Sequence, residues 1–194
     1  MKTLKKHLIA ALIVALPVTV SASSAKPEIP EKHAEARAIV KEFGGMLQPE
    51  LGKAMKSGGP VHAVGTCHEI SPEISKTLSA KTGWDINRVS LKPRATTANA
   101  DSWETDTLNW FEAQLADGKD VTTLEKFEIV KLDGQETIRY MKAVPTAEVC
   151  LTCHGESIAP GVTEKLSEFY PADTATNYKL GQIRGAFSFK QAVN

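Results

Sequence analysis

Cys150, Leu151, Thr152, Cys153 and His154 stand together as a CxxCH pentapeptide. Two thiols at this spacing can add to the vinyl groups of a haem, and the adjacent His then falls under the iron as an axial ligand. A bare CxxC also serves zinc sites and redox enzymes. Zinc needs a second pair of ligands at suitable spacing, and none is evident. A thioredoxin-type site places CxxC after a buried strand of a parallel sheet, which this chain lacks. Only three cysteines occur, so haem attachment through Cys150 and Cys153 leaves Cys67 alone. The residues by themselves leave two readings of Cys67 open, a buried structural thiol and an iron ligand. His68 and His62 are rivals for that ligand position, since imidazole is the commoner partner. Met141 is the other usual ligand, but it lies in an expected hairpin strand where core packing is the simpler role.

A bound haem carries two propionates, which need cationic or hydrogen-bonding partners. Arg88, Lys92, Arg94, Arg139 and Lys142 are candidates, with Arg88 and Lys92 first among them. Trp84, Trp103, Trp110 and Tyr140 read as core. No nucleophile–base pair, carboxylate pair or Gly-rich phosphate loop stands out. Glu148, beside the pentapeptide, has no partner that would make it a general acid. An enzyme is therefore not expected.

The N-terminus gives the pentapeptide its context. Lys2, Lys5 and Lys6 form a positive start, Leu8 to Leu16 is apolar, and Val20-Ser21-Ala22 and Ser23-Ser24-Ala25 offer small-residue cleavage ends. This is the pattern of a secretory signal peptide over residues 1–25. Its apolar core falls well short of the ~20 residues that span a bilayer. The mature chain, 26–194, is then expected to be periplasmic, without a membrane span, in the bacterial compartment where c-type haems are attached. It has room for one domain of ordinary size. Basic and acidic residues balance at 23 each and are mixed along the chain, so no nucleic-acid groove or polybasic membrane patch is expected.

The elements that must position these residues read as follows. From Glu31 to about Lys56 an apolar stripe of Ala36, Ile39, Val40, Phe43, Leu47, Leu51 and Met55 recurs at helical spacing. Gly44-Gly45 and Pro49 suggest a kink or break, and Gly58-Gly59-Pro60 a stop. Val61 to Cys67 alternates as a short strand, which would point His68 away from the face Cys67 uses. Ser71-Pro72-Glu73 reads as a helix start, with Gly83 as its end. Trp84 to Lys92 alternates again. Asp101 to Leu115 is a helix. Asp133-Gly134 joins two strands, Phe127–Leu132 and Glu136–Val144, by a tight turn. The pentapeptide falls in a short helical turn, Val162 to Phe169 is a helix, and Ile183 to Phe189 a last strand. Five short strands without regular βαβ alternation predict an α+β domain with one antiparallel sheet and helices on a face. The long N-terminal helix either packs across that sheet or pairs with a second copy, giving a possible homodimer.

Several segments then resemble the Tll0287-like haem domain family. They are Gly65-Thr66-Cys67 with Ser71-Pro72-Glu73-Ile74, Gly83-Trp84, and Arg88-Val89-Ser90-Leu91-Lys92. After these come Trp103-Glu104, Arg139 through Thr146, the CLTCH and Ile183 through Ser188. The resemblance covers about residues 35 to 190. It implies a PAS-like fold with one covalently bound haem c, attached at Cys150 and Cys153 and ligated by His154 and by Cys67 as the distant Cys. Family members tend to read Arg-Asn-Pro-x-Asn where this chain has Arg94-Ala95-Thr96-Thr97-Ala98, so polar contacts from those Asn residues are missing here.

The expected role is a redox- or gas-responsive haem protein, the rival a simple periplasmic electron-transfer cytochrome. Thiolate donation stabilises ferric iron, so the potential should be low. On reduction the thiolate is less stabilised and should let go, so that CO or NO binds the reduced protein. A haem enzyme would need an open position, which two axial ligands close. A redox or signalling protein partner is expected, since any signal must pass by association.

Overall fold

A computed structural model describes residues 29–193 of the chain; the expected signal segment lies outside them. The first helical element, α1 (Ile29–Thr82), is one assignment over two helices, broken at Gly59 with φ 67° and ψ −167°. It folds back on itself there. Lys81 Nζ is 2.6 Å from Glu42 Oε1 across 39 residues, whereas a continuous helix would hold them roughly 58 Å apart at ~1.5 Å per residue. Gly59 supplies a left-handed conformation that a side chain would oppose,. Pro60 opens the second arm, where its missing N–H costs nothing,. Pro49 and Pro72 lie inside the arms but face solvent, so the carbonyls they orphan are open to water,.

Three expectations are corrected here. Val61–Cys67 is helix, not strand, and the helix does not begin at Ser71 but runs unbroken from Pro60. Along this arm the buried positions are Ala63, Val64, Ser71, Ile74 and Leu78, at three- to four-residue recurrence,. The expected break at 45–49 is also absent; the first arm stays helical to the tip.

The sheet has four strands, not five, because the 61–67 strand does not exist. They are β1 (Asp85–Val89), β2 (Glu125–Leu132), β3 (Gln135–Pro145) and β4 (Ile183–Ala192), in the order β1-β4-β3-β2 and antiparallel throughout. The β2–β3 hairpin turns on Asp133 and Gly134, both with positive φ (50° and 87°) as the primed turn requires,. α2 (Ser102–Ala116) starts at an Asp101–Glu104 capping box,.

Strand alternation feeds two cores. Ile86, Ile138, Tyr140 and Phe189 face the α1 hairpin, meeting Ala36, Ile39 and Phe43 from its first arm and Ile74 and Leu78 from its second,. Val89, Met141, Ala143 and Ala186 face α2, meeting Leu108 and Phe111. The hairpin thus packs across the sheet, one of the two roles foreseen for it. A short α3 (Leu151–His154) and α4 (Pro160–Phe169) complete the chain; α4 lays Val162 and Leu166 on Val64. Among the described residues, no helix is long and apolar enough to cross a membrane.

Candidate functional site

The pentapeptide follows the end of β3. A 3-10 turn (Glu148–Cys150) runs into α3, so Cys150, Cys153 and His154 project from successive turns of one short helical stretch,. Gly155 ends it, and an added Cβ there would lie 2.5 Å from the Leu151 carbonyl oxygen, so the tight exit excludes side chains. Residues 173–178 then wrap the helix. Tyr178 N–H donates to the His154 carbonyl at 2.9 Å and Asn177 N–H to the Gly155 carbonyl at 3.0 Å.

This wrapping settles which imidazole nitrogen is available. His154 Nδ1 is 2.8 Å from the Ala175 carbonyl oxygen, which can only accept, so Nδ1 carries the proton,. Nε2 is left with its lone pair, 3.4 Å from Arg94 Nη1. Arg184 Nε stands 3.1 Å from Nδ1 and 3.4 Å from Nε2, and with Nδ1 protonated toward Ala175 only its approach to Nε2 can be a hydrogen bond,. Burial, then Arg184 and Arg94, hold the imidazole pKa down to about 2, so the ring is neutral. A neutral imidazole with Nδ1–H anchored to a carbonyl is an oriented metal ligand.

Arg94 ties the wrapping loop to α3. Its Nε donates to Asp173 Oδ2 at 3.0 Å, and its Nη2 to the carbonyls of Cys153 at 2.6 Å and Ala175 at 3.3 Å. Arg184 donates through Nη1 to Ser90 Oγ at 3.2 Å. Neither arginine was a first choice from the sequence, and Arg184, Asp173 and Ala175 were not candidates. Arg184 lies within the family-like last strand, but nothing local marks it.

Cys67 comes to the same region from the second arm of α1. Burial pushes its thiol pKa up, and Arg88 and Arg94 pull it back down. The Cys153 thiol is raised chiefly by burial, with Arg94 opposing and Cys67 adding to the rise, so the two sulfurs sense one another. All three cysteines are half-buried and free of disulfides. Cys150, Cys153 and His154 share one helical stretch, and Cys153 packs against the arm of α1 that carries Cys67, one turn from Val64.

Arg88 donates to Ser71 Oγ, one helical turn after Cys67, and lies 5.3 Å over the Phe43 ring,. Lys92 donates to the Thr176 carbonyl and stands 4.4 Å from the Tyr178 ring, so its ammonium braces the wrapping loop. Arg139 is far from both, pairing with Asp101 at 2.7 Å and Glu104 at 3.1 Å beneath α2. Lys142 caps the Thr122 carbonyl at 2.6 Å.

The rival ligands are occupied elsewhere. His68 stacks on Phe169 at 4.6 Å with 16° between planes, on the α4 side of the arm. In a helix it points ~100° round from Cys67; the strand alternation that separated them on paper does not apply. His62 sits against Gly58 at the hairpin tip, and Met141 is fully buried under α2. Of the aromatics, Trp84 and Tyr140 are core, Trp103 is half-buried, and Trp110 is exposed.

The donor set fits a c-type haem. It offers two thiols on one helical stretch, a lone pair on His154 Nε2, and a third sulfur nearby. Arg94 and Arg184 stand at the His154 ring, and Asp173 is the carboxylate paired with Arg94, so the site keeps positive charge of the kind haem propionates need,. Among the described residues, no three His, Cys, Asp or Glu side chains group so as to hold a bare metal ion.

Fold and site together define a small α+β protein with a CxxCH helix clasped between a helical hairpin and one end of the sheet. Residues 16–192 match the Tll0287-like family, and the chain belongs to it. The fold is also that of a solved relative, the crystal structure of the cyanobacterial heme-protein Tll0287, at a TM-score of 0.64 and 19% identity over 84% of this chain and 96% of that one. No curated protein matches the chain.

Proposed function

We propose that this chain is an exported periplasmic protein that carries one haem c. Cys150 and Cys153 hold it by thioether bonds, and His154 and Cys67 are its axial ligands. The observation that carries the reading is the His154 ring. Its Nδ1–H is fixed on the Ala175 carbonyl, and its neutral Nε2 is presented toward the arginine cluster that Cys67 also approaches. The crystal structure of a heme-protein with the same fold supports it.

Bound there, the cofactor supplies one-electron exchange between ferric and ferrous iron. The chain's residues supply the rest. Cys67 offers an anionic sulfur that favours the ferric state. Arg94 and Arg184, the cations at the His154 ring, would be the partners of the propionates,. The 173–178 loop keeps the imidazole in one orientation. The role that follows is a redox- or gas-responsive module rather than an enzyme.

Absorption and paramagnetic-resonance spectra of the purified protein, with Cys67→Ala beside it, test the proposal. The expected result is low-spin ferric iron with a thiolate charge-transfer band that Cys67→Ala abolishes, together with a higher reduction potential. An unchanged low-spin spectrum in the variant refutes Cys67 as ligand. Cys67 retained in both oxidation states favours a simple electron-transfer cytochrome.

A further inference from the structure

Arg88 is a half-buried cation at the end of β1 with no carboxylate paired to it among the described residues. Such a charge is costly unless something answers it. Its contacts hold it in place without neutralising it. Ser71 Oγ accepts from Nη2, and the Phe43 ring lies under the guanidinium at 5.3 Å. Ser71 is four residues after Cys67 on the second arm of α1, so the two side chains lie one above the other on a single helix face,. A guanidinium bonded to Ser71 is therefore held one turn from the sulfur. Cys67 and Tyr170 are the side chains that could set a negative charge against Arg88. A tyrosine phenol is neutral at ordinary pH, whereas the Cys67 sulfur would be anionic as a ligand of ferric iron.

We infer that Arg88 is the positioning residue for the Cys67 sulfur, a fixed counter-charge and hydrogen-bond donor to the thiolate rather than a propionate partner. This rests on the reading of Cys67 as an axial ligand. Ser71 and Phe43 aim the guanidinium, and the fork leaves further N–H groups to turn toward sulfur. A cation at that place withdraws density from the sulfur and disfavours the extra charge of ferric iron. Arg88 thus sets the potential of the site upward against the thiolate's downward pull.

The test uses the haem-loaded protein and three variants, Arg88→Gln, Arg88→Lys and Ser71→Ala. Arg88→Gln is expected to strengthen the thiolate charge-transfer band, move it in wavelength, and shift the one-electron equilibrium about tenfold toward ferric, or ~59 mV. Arg88→Lys keeps the charge and should recover most of the potential but not the band position, because an ammonium lacks the fork. Ser71→Ala frees the guanidinium without removing it and should move the band in the Arg88→Gln direction by a smaller amount.

A purely structural Arg88 would lower the melting temperature of Arg88→Gln and leave band and potential at wild-type values, which overturns the inference. If Arg88→Gln does not fold, a wild-type band in Ser71→Ala together with a wild-type band in Arg88→Lys overturns it equally. The ligand reading fails separately, through an unchanged spectrum in Cys67→Ala.

Discussion

His154 Nδ1 and the carbonyl oxygen of Ala175 lie 2.8 Å apart, and that one hydrogen bond decides which face of the imidazole can bind anything. The carbonyl belongs to an irregular loop, so its position depends on what holds the loop. Asp173 does so twice. Its Oδ1 accepts from Ala175 N–H at 2.7 Å and its Oδ2 from Arg94 Nε at 3.0 Å.

Asp173→Ala should therefore act on stability and on haem loading together. Both members of the Arg94–Asp173 pair are largely buried, at 13% and 10% exposed. Removing one leaves a buried guanidinium uncompensated, at a cost of roughly 3 kcal/mol. The urea midpoint should fall accordingly, and the yield of haem-loaded protein should drop as His154 loses its fixed orientation. Asp173→Asn keeps an acceptor for Ala175 N–H and should recover part of both. A wild-type midpoint and yield in Asp173→Ala would remove the loop from the argument.

Replacing Cys150 and Cys153 together with Ser should leave the haem extractable by acid acetone. Both sulfurs are half-buried on the α3 stretch beside His154, and neither is in a disulfide. Covalent attachment persisting in the double variant would show that the pentapeptide is not the attachment point.

Glu125 gives a pH prediction away from the site. Its carboxylate binds Arg37 Nε through both oxygens at 3.0 Å and accepts from Tyr140 O–H at 2.9 Å, tying the first arm of α1 to β2 and β3. His33 Nε2 stands 3.4 Å away. The hydrogen bond from Arg37 is the largest cause of a pKa lowered to about 2. A carboxylate whose folded pKa is depressed adds stability that is fully present above its unfolded value, ~4.3, and lost as pH falls toward the folded value. Because Arg37 is 57% exposed, solvent screening reduces the contribution to about 1–2 kcal/mol,. Glu125→Gln should be less stable than wild type by that amount at pH 7. The gap should close between about pH 4.5 and 2 in denaturant titrations. A gap of constant size across that range would refute the assignment.

How much of this could be read from the chain depends on how local each signal is. The helical turn at CLTCH and the Asp133-Gly134 hairpin carry their geometry within a few residues, and both form as expected. Val61–Cys67 does not, because a seven-residue run of small and apolar residues satisfies a period of two and a period of 3.6 alike. Packing decides it. Val64 meets Val162 and Leu166, and Gly65 lies beside the Phe169 ring, the face that a helical arm presents to α4. Arg184 and Asp173 were hidden for another reason. Their partners His154 and Arg94 are 30 and 79 residues distant, and no periodicity encodes a contact made by folding.

The last prediction follows from an asymmetry between the two proposed ligands. His154 is anchored three ways: by Cys153 as its covalent neighbour, by the Nδ1 bond to Ala175, and by the Tyr178 N–H on its carbonyl. Cys67 hangs from one helical arm, and apart from iron its sulfur is held, among the described residues, by nothing firmer than the side-chain donor inferred for Arg88. Ferrous iron carries one positive charge less than ferric and holds an anionic sulfur less firmly. Reduction should therefore release Cys67 and leave His154 in place. Carbon monoxide or nitric oxide should then bind the reduced protein at the vacated position and bind the oxidised protein weakly. Stopped-flow mixing of dithionite-reduced protein with carbon monoxide, from pH 5 to 9, measures this. Cys67→Ala, in which the position is open from the start, should combine faster than wild type, because no sulfur must leave first. Absence of any adduct with reduced wild type across that range would mean that Cys67 holds on in both states, the behaviour of an electron carrier rather than of a responsive module.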